Sequence, residues 1–137
     1  MENKFIEDNF VSCEIAVKLK ELDFDEECLA FYNHNKKLNT YINLDDKLLR
    51  NSQVTASGTY MAPLYQQVFQ WFREKHSRTI VVSSFKHIDW TETASYFILS
   101  AEFGKIASDK FFHSYQEACV DAINKAIEII NKPQKTV

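Results

Sequence analysis

The clearest pattern of apolar and polar positions runs from Thr59 to Phe85 and predicts one helix followed directly by one strand. Leu64, Tyr65, Val68, Phe69, Trp71 and Phe72 fall on one arc at about 100° per residue, with Gln66, Gln67, Gln70, Arg73 and Glu74 on the other. Pro63 suits a first helical turn, where its missing N–H costs nothing, and it pushes Ala62 away from the α region. After Lys75-His76-Ser77-Arg78 the period changes to β-branched Thr79-Ile80-Val81-Val82. The rest of the chain is expected to pack around this helix and strand.

Before it, residues 1–11 read as a lead-in whose Phe5, Ile6, Phe10 and Val11 add a strand or cover the core. Ser12 is a good N-cap for a helix over roughly 13–22, with Val11, Ile15, Ala16, Leu19 and Leu22 as its apolar stripe. Phe24 is placed to fold back on the end of that helix. Residues 28–33 and 38–43 flank the polar run Asn33-His34-Asn35-Lys36-Lys37, a hairpin signal. Residues 45–58 are the least patterned and are expected to form a flexible loop.

After the central pair, Lys86-His87-Ile88-Asp89 reads as a connection and Trp90–Phe103 as a long strand. In that strand Phe97, Leu99, Ala101 and Phe103 share one face, and Tyr96, Ile98, Ser100 and Glu102 the other. Gly104 marks a turn, and residues 106–112 return as a further strand. Ser114-Tyr115-Gln116-Glu117 is a capping box. It opens a last helix whose stripe is Tyr115, Ala118, Cys119, Ala122, Ile123, Ala126, Ile127 and Ile130.

Runs this short in the order α-β-β-α-β-β-(β)-α predict an α+β fold, with one antiparallel sheet of about four to five strands packed by three helices. A length of 137 residues fits a single domain, which buries roughly 70% of its unfolded surface. Residues 63–131 alone read α-β-β-β-α, the order of the double-stranded-RNA-binding domain.

Composition narrows the function classes. Only two Gly and two Pro argue against a disordered or loop-dominated chain. Cys13, Cys28 and Cys119 are odd in number and widely spaced, which favours reduced thiols in a cytoplasmic setting over a disulfide framework. No signal-peptide pattern opens the chain, and no apolar run approaches the roughly 18 residues of a membrane span. With a net charge of −3, no overall basic field draws the chain to nucleic acid.

No catalytic, metal or cofactor constellation emerges. His34, His76, His87 and His113 lack ligand spacing with one another or with the cysteines. Gly58 and Gly104 stand alone, so there is no phosphate-binding loop. What stands out is an aromatic content of 14%, 11 of the rings being Phe, which exceeds the evident need of three short helices and one sheet. Tyr32, Tyr41, Trp90 and Tyr96 are therefore candidates for an exposed aromatic patch on a sheet face. The alternative is a nucleic-acid surface built on Lys36, Lys37, Arg73, Lys75 and Arg78. The acidic balance, and the absence of a basic cluster on the last helix, weigh against it.

Three stretches carry a resemblance: VSCEIAVKLKELDFDEECLAFY at 11–32, APLYQQVFQWFREKH at 62–76 and SYQEACVDAINKAIEII at 114–130. Together they resemble a family of small proteins of Bacteroides-type gut bacteria, their prophages and phages, the middle motif being the specific part. The resemblance implies a bacterial or phage setting and carries over no activity, cofactor or catalytic residue. The polar stretch around Asp45–Thr59 departs from the family's simplest pattern. The resulting expectation is a small non-enzymatic module, phage- or mobile-element-related, that binds a protein partner or itself.

Overall fold

Three helices and six strands form among the residues that the computed structural model describes, 8–40, 48–54 and 57–131. In chain order they are α1 (Cys13–Glu21), β1 (Ala30–Tyr32), β2 (Leu38–Thr40), a 3-10 turn (Asn51–Gln53), β3 (Tyr60–Ala62), α2 (Tyr65–His76), β4 (Thr79–Lys86), β5 (Glu92–Ser100), β6 (Gly104–Ala107) and α3 (Tyr115–Asn131). The chain divides into two compact units, Met1–Gln67 and Val68–Val137, with the division inside α2.

The α+β class stands, but the expected single sheet and its strand order do not. Two three-stranded antiparallel sheets form instead, ordered β2-β1-β3 and β4-β5-β6. The difference lies in β3, a strand of three residues too short for periodicity to reveal. It takes the side of β1 not used by β2. Its one sequence signal is Pro63, which holds the preceding backbone extended. The longer β4–β5 hairpin then builds its own sheet with β6.

In the first unit Ser12 caps α1, its hydroxyl accepting from the Ile15 N–H at 3.3 Å. Asp23 turns the chain at the helix end with φ 64°, and the Phe24 N–H bonds the Leu19 carbonyl at 2.9 Å. Phe24 is thereby buried, as its position after the helix predicts. Phe10, Ala30 and Ala62 form a small core joined by Leu29, Tyr32, Leu38 and Leu64. Phe10 bridges to Leu64, which brings part of the lead-in into that core.

Part of the stretch expected to be a flexible loop, residues 48–54, is tied into this unit by polar groups. The Arg50 guanidinium donates to the Asp25 carbonyl at 2.9 Å, and the Ser52 N–H to Asp25 Oδ1 at 2.8 Å. Asn51 is buried; its amide donates to the Phe24 carbonyl at 2.9 Å and accepts from the Met61 N–H at 3.0 Å. One side chain therefore satisfies two buried backbone groups from distant parts of the unit.

In α2 the buried positions Tyr65, Val68, Phe69, Trp71 and Phe72 are those of the predicted arc, and Gln66, Gln70, Arg73 and Glu74 are exposed. In the second unit α3 lies on β4 and β5 and buries Ala118, Cys119, Ala122, Ile123, Ala126 and Ile127. The Ala side chains let the helix axis approach the sheet closely. Ser114 Oγ accepts from the Glu117 N–H at 3.1 Å, while Glu117 Oε2 takes the His113 N–H at 3.3 Å. The predicted long strand is trimmed to β5: Trp90 lies in a left-handed turn, and residues 101–103 turn back through Gly104, φ 75°.

Replacing Asn51 with Ala removes its hydrogen bonds to the Phe24 carbonyl and the Met61 N–H. The expected loss is about 2–3 kcal/mol of unfolding free energy, measured by urea denaturation at constant slope.

Candidate interaction surface

The β4–β5 ladder runs from Thr79 opposite Leu99 to Lys86 opposite Glu92. Alternation puts Ile80, Val82 and Ser84 on one face with Ile98, Tyr96 and Ala94. This is the face under α3: Ala94, Tyr96 and Ile98 are buried, and the Tyr96 hydroxyl donates to Asp121 Oδ2 on α3 at 2.7 Å. Burial, followed by that bond, holds the Tyr96 phenol well above its ordinary pKa, so it remains a donor at any physiological pH.

The opposite face carries Thr79, Val81, Ser83 and Phe85 beside Leu99, Phe97, Ser95 and Thr93. Leu99 and Phe85 are exposed there, with Val81 and Phe97 half-buried. Lys105 Nζ sits 4.8 Å above the Phe97 ring. Phe111 is exposed, next to Phe112, which bridges Ala94.

The hairpin tip extends this apolar surface. The His87 N–H bonds the Thr91 carbonyl at 2.7 Å and the Trp90 N–H bonds the His87 carbonyl at 2.9 Å, closing a loop over residues 88–90. Such a loop requires a left-handed residue at its third position, normally Gly. Trp90 occupies it with φ 70° and is 82% exposed. Ile88 is fully exposed and Phe85 is 60% exposed. The Thr91 hydroxyl and N–H both donate to Asp89 Oδ1, at 2.6 and 3.1 Å, which lowers the Asp89 pKa. His87 Nε2 lies 2.6 Å from Thr93 Oγ1, with its ring against Phe85 at 4.8 Å. The tip is thus braced by polar groups while its apolar groups face water.

Of the predicted aromatic patch, Trp90 is exposed and Tyr96 is buried. Tyr32 is half-buried in the first unit, its hydroxyl donating to the Val11 carbonyl at 2.8 Å. Tyr41 lies outside the described residues. Sequence reasoning missed Phe85, Ile88 and Phe111. The available signal was Ile88, an apolar residue amid the polar connection His87-Ile88-Asp89.

The basic residues divide between the two units. Lys36 and Lys37 are exposed in the β1–β2 turn of the first unit, and Arg73 and Lys75 are exposed on the second-unit part of α2. Arg78 is buried. Its guanidinium donates to the His76 carbonyl at 3.1 Å, Ser100 Oγ at 3.2 Å and Glu102 Oε2 at 3.3 Å, and lies 5.0 Å from the Phe103 ring centroid. It pins the turn after β5 to the end of α2.

Among the described residues no three His, Cys, Asp or Glu side chains assemble as a metal site. Cys28 and Cys119 are buried, and burial pushes each thiol up to about 12, which leaves them poor nucleophiles at neutral pH. No helix among the described residues is long and apolar enough to cross a membrane. Comparison with family models, curated proteins and solved structures returns no match.

The raised thiols have a pH consequence. Both are protonated in the folded chain up to about 12, whereas an unfolded thiol ionises from its ordinary 9.0. Their contribution is therefore complete below pH 9 and declines as pH rises towards 12. Urea midpoints should fall across that window, and a Cys28→Ala/Cys119→Ala chain should fall less steeply. At neutral pH a thiol reagent should label Cys13, which is partly exposed, before either buried cysteine.

Proposed function

We propose that this protein is a non-enzymatic interaction module that docks a protein partner on the apolar surface of the β4–β5 hairpin, with Trp90 and Ile88 as anchors. The observation that carries this reading is Trp90 itself: a large ring at φ 70°, 82% exposed, where glycine is the residue of least strain. A bulky residue in the left-handed region costs about 1–2 kcal/mol, and nothing within the fold recovers it by burying the ring. Exposed aromatic and aliphatic groups on a braced turn are what interface anchors require, since little side-chain freedom is lost on binding.

The nucleic-acid reading is weaker on the same surface. The order α-β-β-β-α over 65–131 supports it. Against it, Arg78 is engaged internally, Lys36 and Lys37 lie in the other unit, and Asp89 sits between Ile88 and Trp90. The bacterial or phage cytosol implied by the family resemblance, with three free thiols, is the setting we assign.

Trp90→Gly separates fold from function. It should raise unfolding free energy by about 1 kcal/mol while weakening partner capture. Ile88→Ser/Trp90→Ser should abolish capture and leave the unfolding free energy, read by urea denaturation, within about 0.5 kcal/mol of wild type. Capture is read by mass spectrometry on tagged chains in nuclease-treated host lysate. A partner retained equally by wild type and the double variant rejects the tip as the docking site. Partners lost on nuclease treatment alone move the function to nucleic acid.

A further inference from the structure

The two edges of the second sheet are unlike. β6 is a four-residue edge that begins at Gly104 and Lys105, and it is followed by the Phe112 bridge to Ala94. β4 is an eight-residue edge, longer than a usual strand, with no Pro, no Gly and no charge before Lys86. Apart from Lys86 at its last position, none of the usual devices that block edge pairing is present along it. Its only strand partner among the described residues is β5, and Ser83, Ser84, Phe85 and Lys86 are exposed. Natural edges of this length are covered or paired, because their outward N–H and C=O groups template another strand.

We infer that β4 pairs edge to edge and antiparallel with β4 of a second copy, about a two-fold axis at Ser83, joining two sheets into one of six strands. This goes beyond the docking of a foreign partner and rests on a different observation, the unpaired edge rather than the apolar tip.

The register follows from parity and side-chain pairing. Directly opposite residues point to the same face, so a two-fold that keeps both α3 helices on one side must pass through a residue, not between two. The strand centre leaves Val82 or Ser83. An axis at Val82 sets Val81 opposite Ser83 and Ile80 opposite Ser84, apolar side chains against hydroxyls. An axis at Ser83 sets Val81 opposite Phe85 twice, a favourable β-branched–aromatic pair, and places Lys86 opposite Ile80. Only Ser77 and Arg78 separate α2 from β4, so the same pairing brings the Asp89 turn of one copy towards Arg73 and Lys75 of the other. That charge complementarity favours a second copy over an arbitrary extended peptide. Because β6 offers only a short edge, the assembly closes at two copies rather than extending as a filament.

The test is analytical ultracentrifugation of the full chain over a wide concentration series. Wild type should pass from monomer to dimer. Ser83 is exposed, so Ser83→Lys and Ser83→Glu should fold, as checked by circular dichroism, and each alone should remain monomeric. Mixed in equal amounts, the two variants should recover a dimer containing one of each. Wild type that stays monomeric overturns the inference and leaves the edge to a strand from another protein. It is also overturned if either variant dimerises as well as wild type, if mixing restores nothing, or if open-ended oligomers form. The foreign-partner reading is tested at positions 88 and 90, so either can fail alone.

Discussion

The second unit depends on the parity of β5. Ala94, Tyr96 and Ile98 point under α3, and Thr93, Ser95, Phe97 and Leu99 point away. The bond from Tyr96 to Asp121, together with close approach along Ala118, Ala122 and Ala126, selects this arrangement. A slip of one residue would turn Tyr96 and Ile98 to water and drive Phe97 and Leu99 against the helix. The make-up of the outward face follows from that choice, because β4 and β6 are registered on β5.

This division assigns different work to the aromatic residues. Tyr96 and Phe112, stacked at 6.0 Å, belong to the packed side. Phe85 and Trp90 belong to the outward surface, where most of each ring faces water. A left-handed Trp90 on a turn braced by Asp89, Thr91 and His87 is a local conflict between foldability and surface chemistry. Such conflicts mark functional positions. The edge of β4 is a second conflict of the same kind, between solubility and an unprotected template for pairing.

Much of the fold was legible in the sequence where periodicity was long. The buried arc of α2, the stripe of α3 and the alternation along β5 follow from spacing alone, because each spans enough residues for one face to be unambiguous. Short elements were not legible. Three-residue β3 carries no period, and its absence from the prediction merged two sheets into one. The polar stretch at 48–54 looked like a loop because composition cannot reveal that Asn51 will bridge Phe24 and Met61. For the candidate site, alternation identified the two faces of β5 without saying which α3 would cover. Tyr96 was consequently read as exposed. Trp90 was singled out for its ring, but its left-handed turn depends on backbone hydrogen bonds that no side-chain pattern encodes.

A lysine scan of residues 93–99, one substitution at a time and read by urea denaturation, tests the parity of β5 most directly. The cost should alternate along the strand. Lys at 94, 96 or 98 should cost several kcal/mol, because an ammonium would be buried beneath α3 without a partner. Substitution at 93, 95, 97 or 99 should cost about 1 kcal/mol or less. A flat profile, or one with the odd positions costly and the even ones tolerant, would contradict the assignment of faces and with it the outward surface of the hairpin.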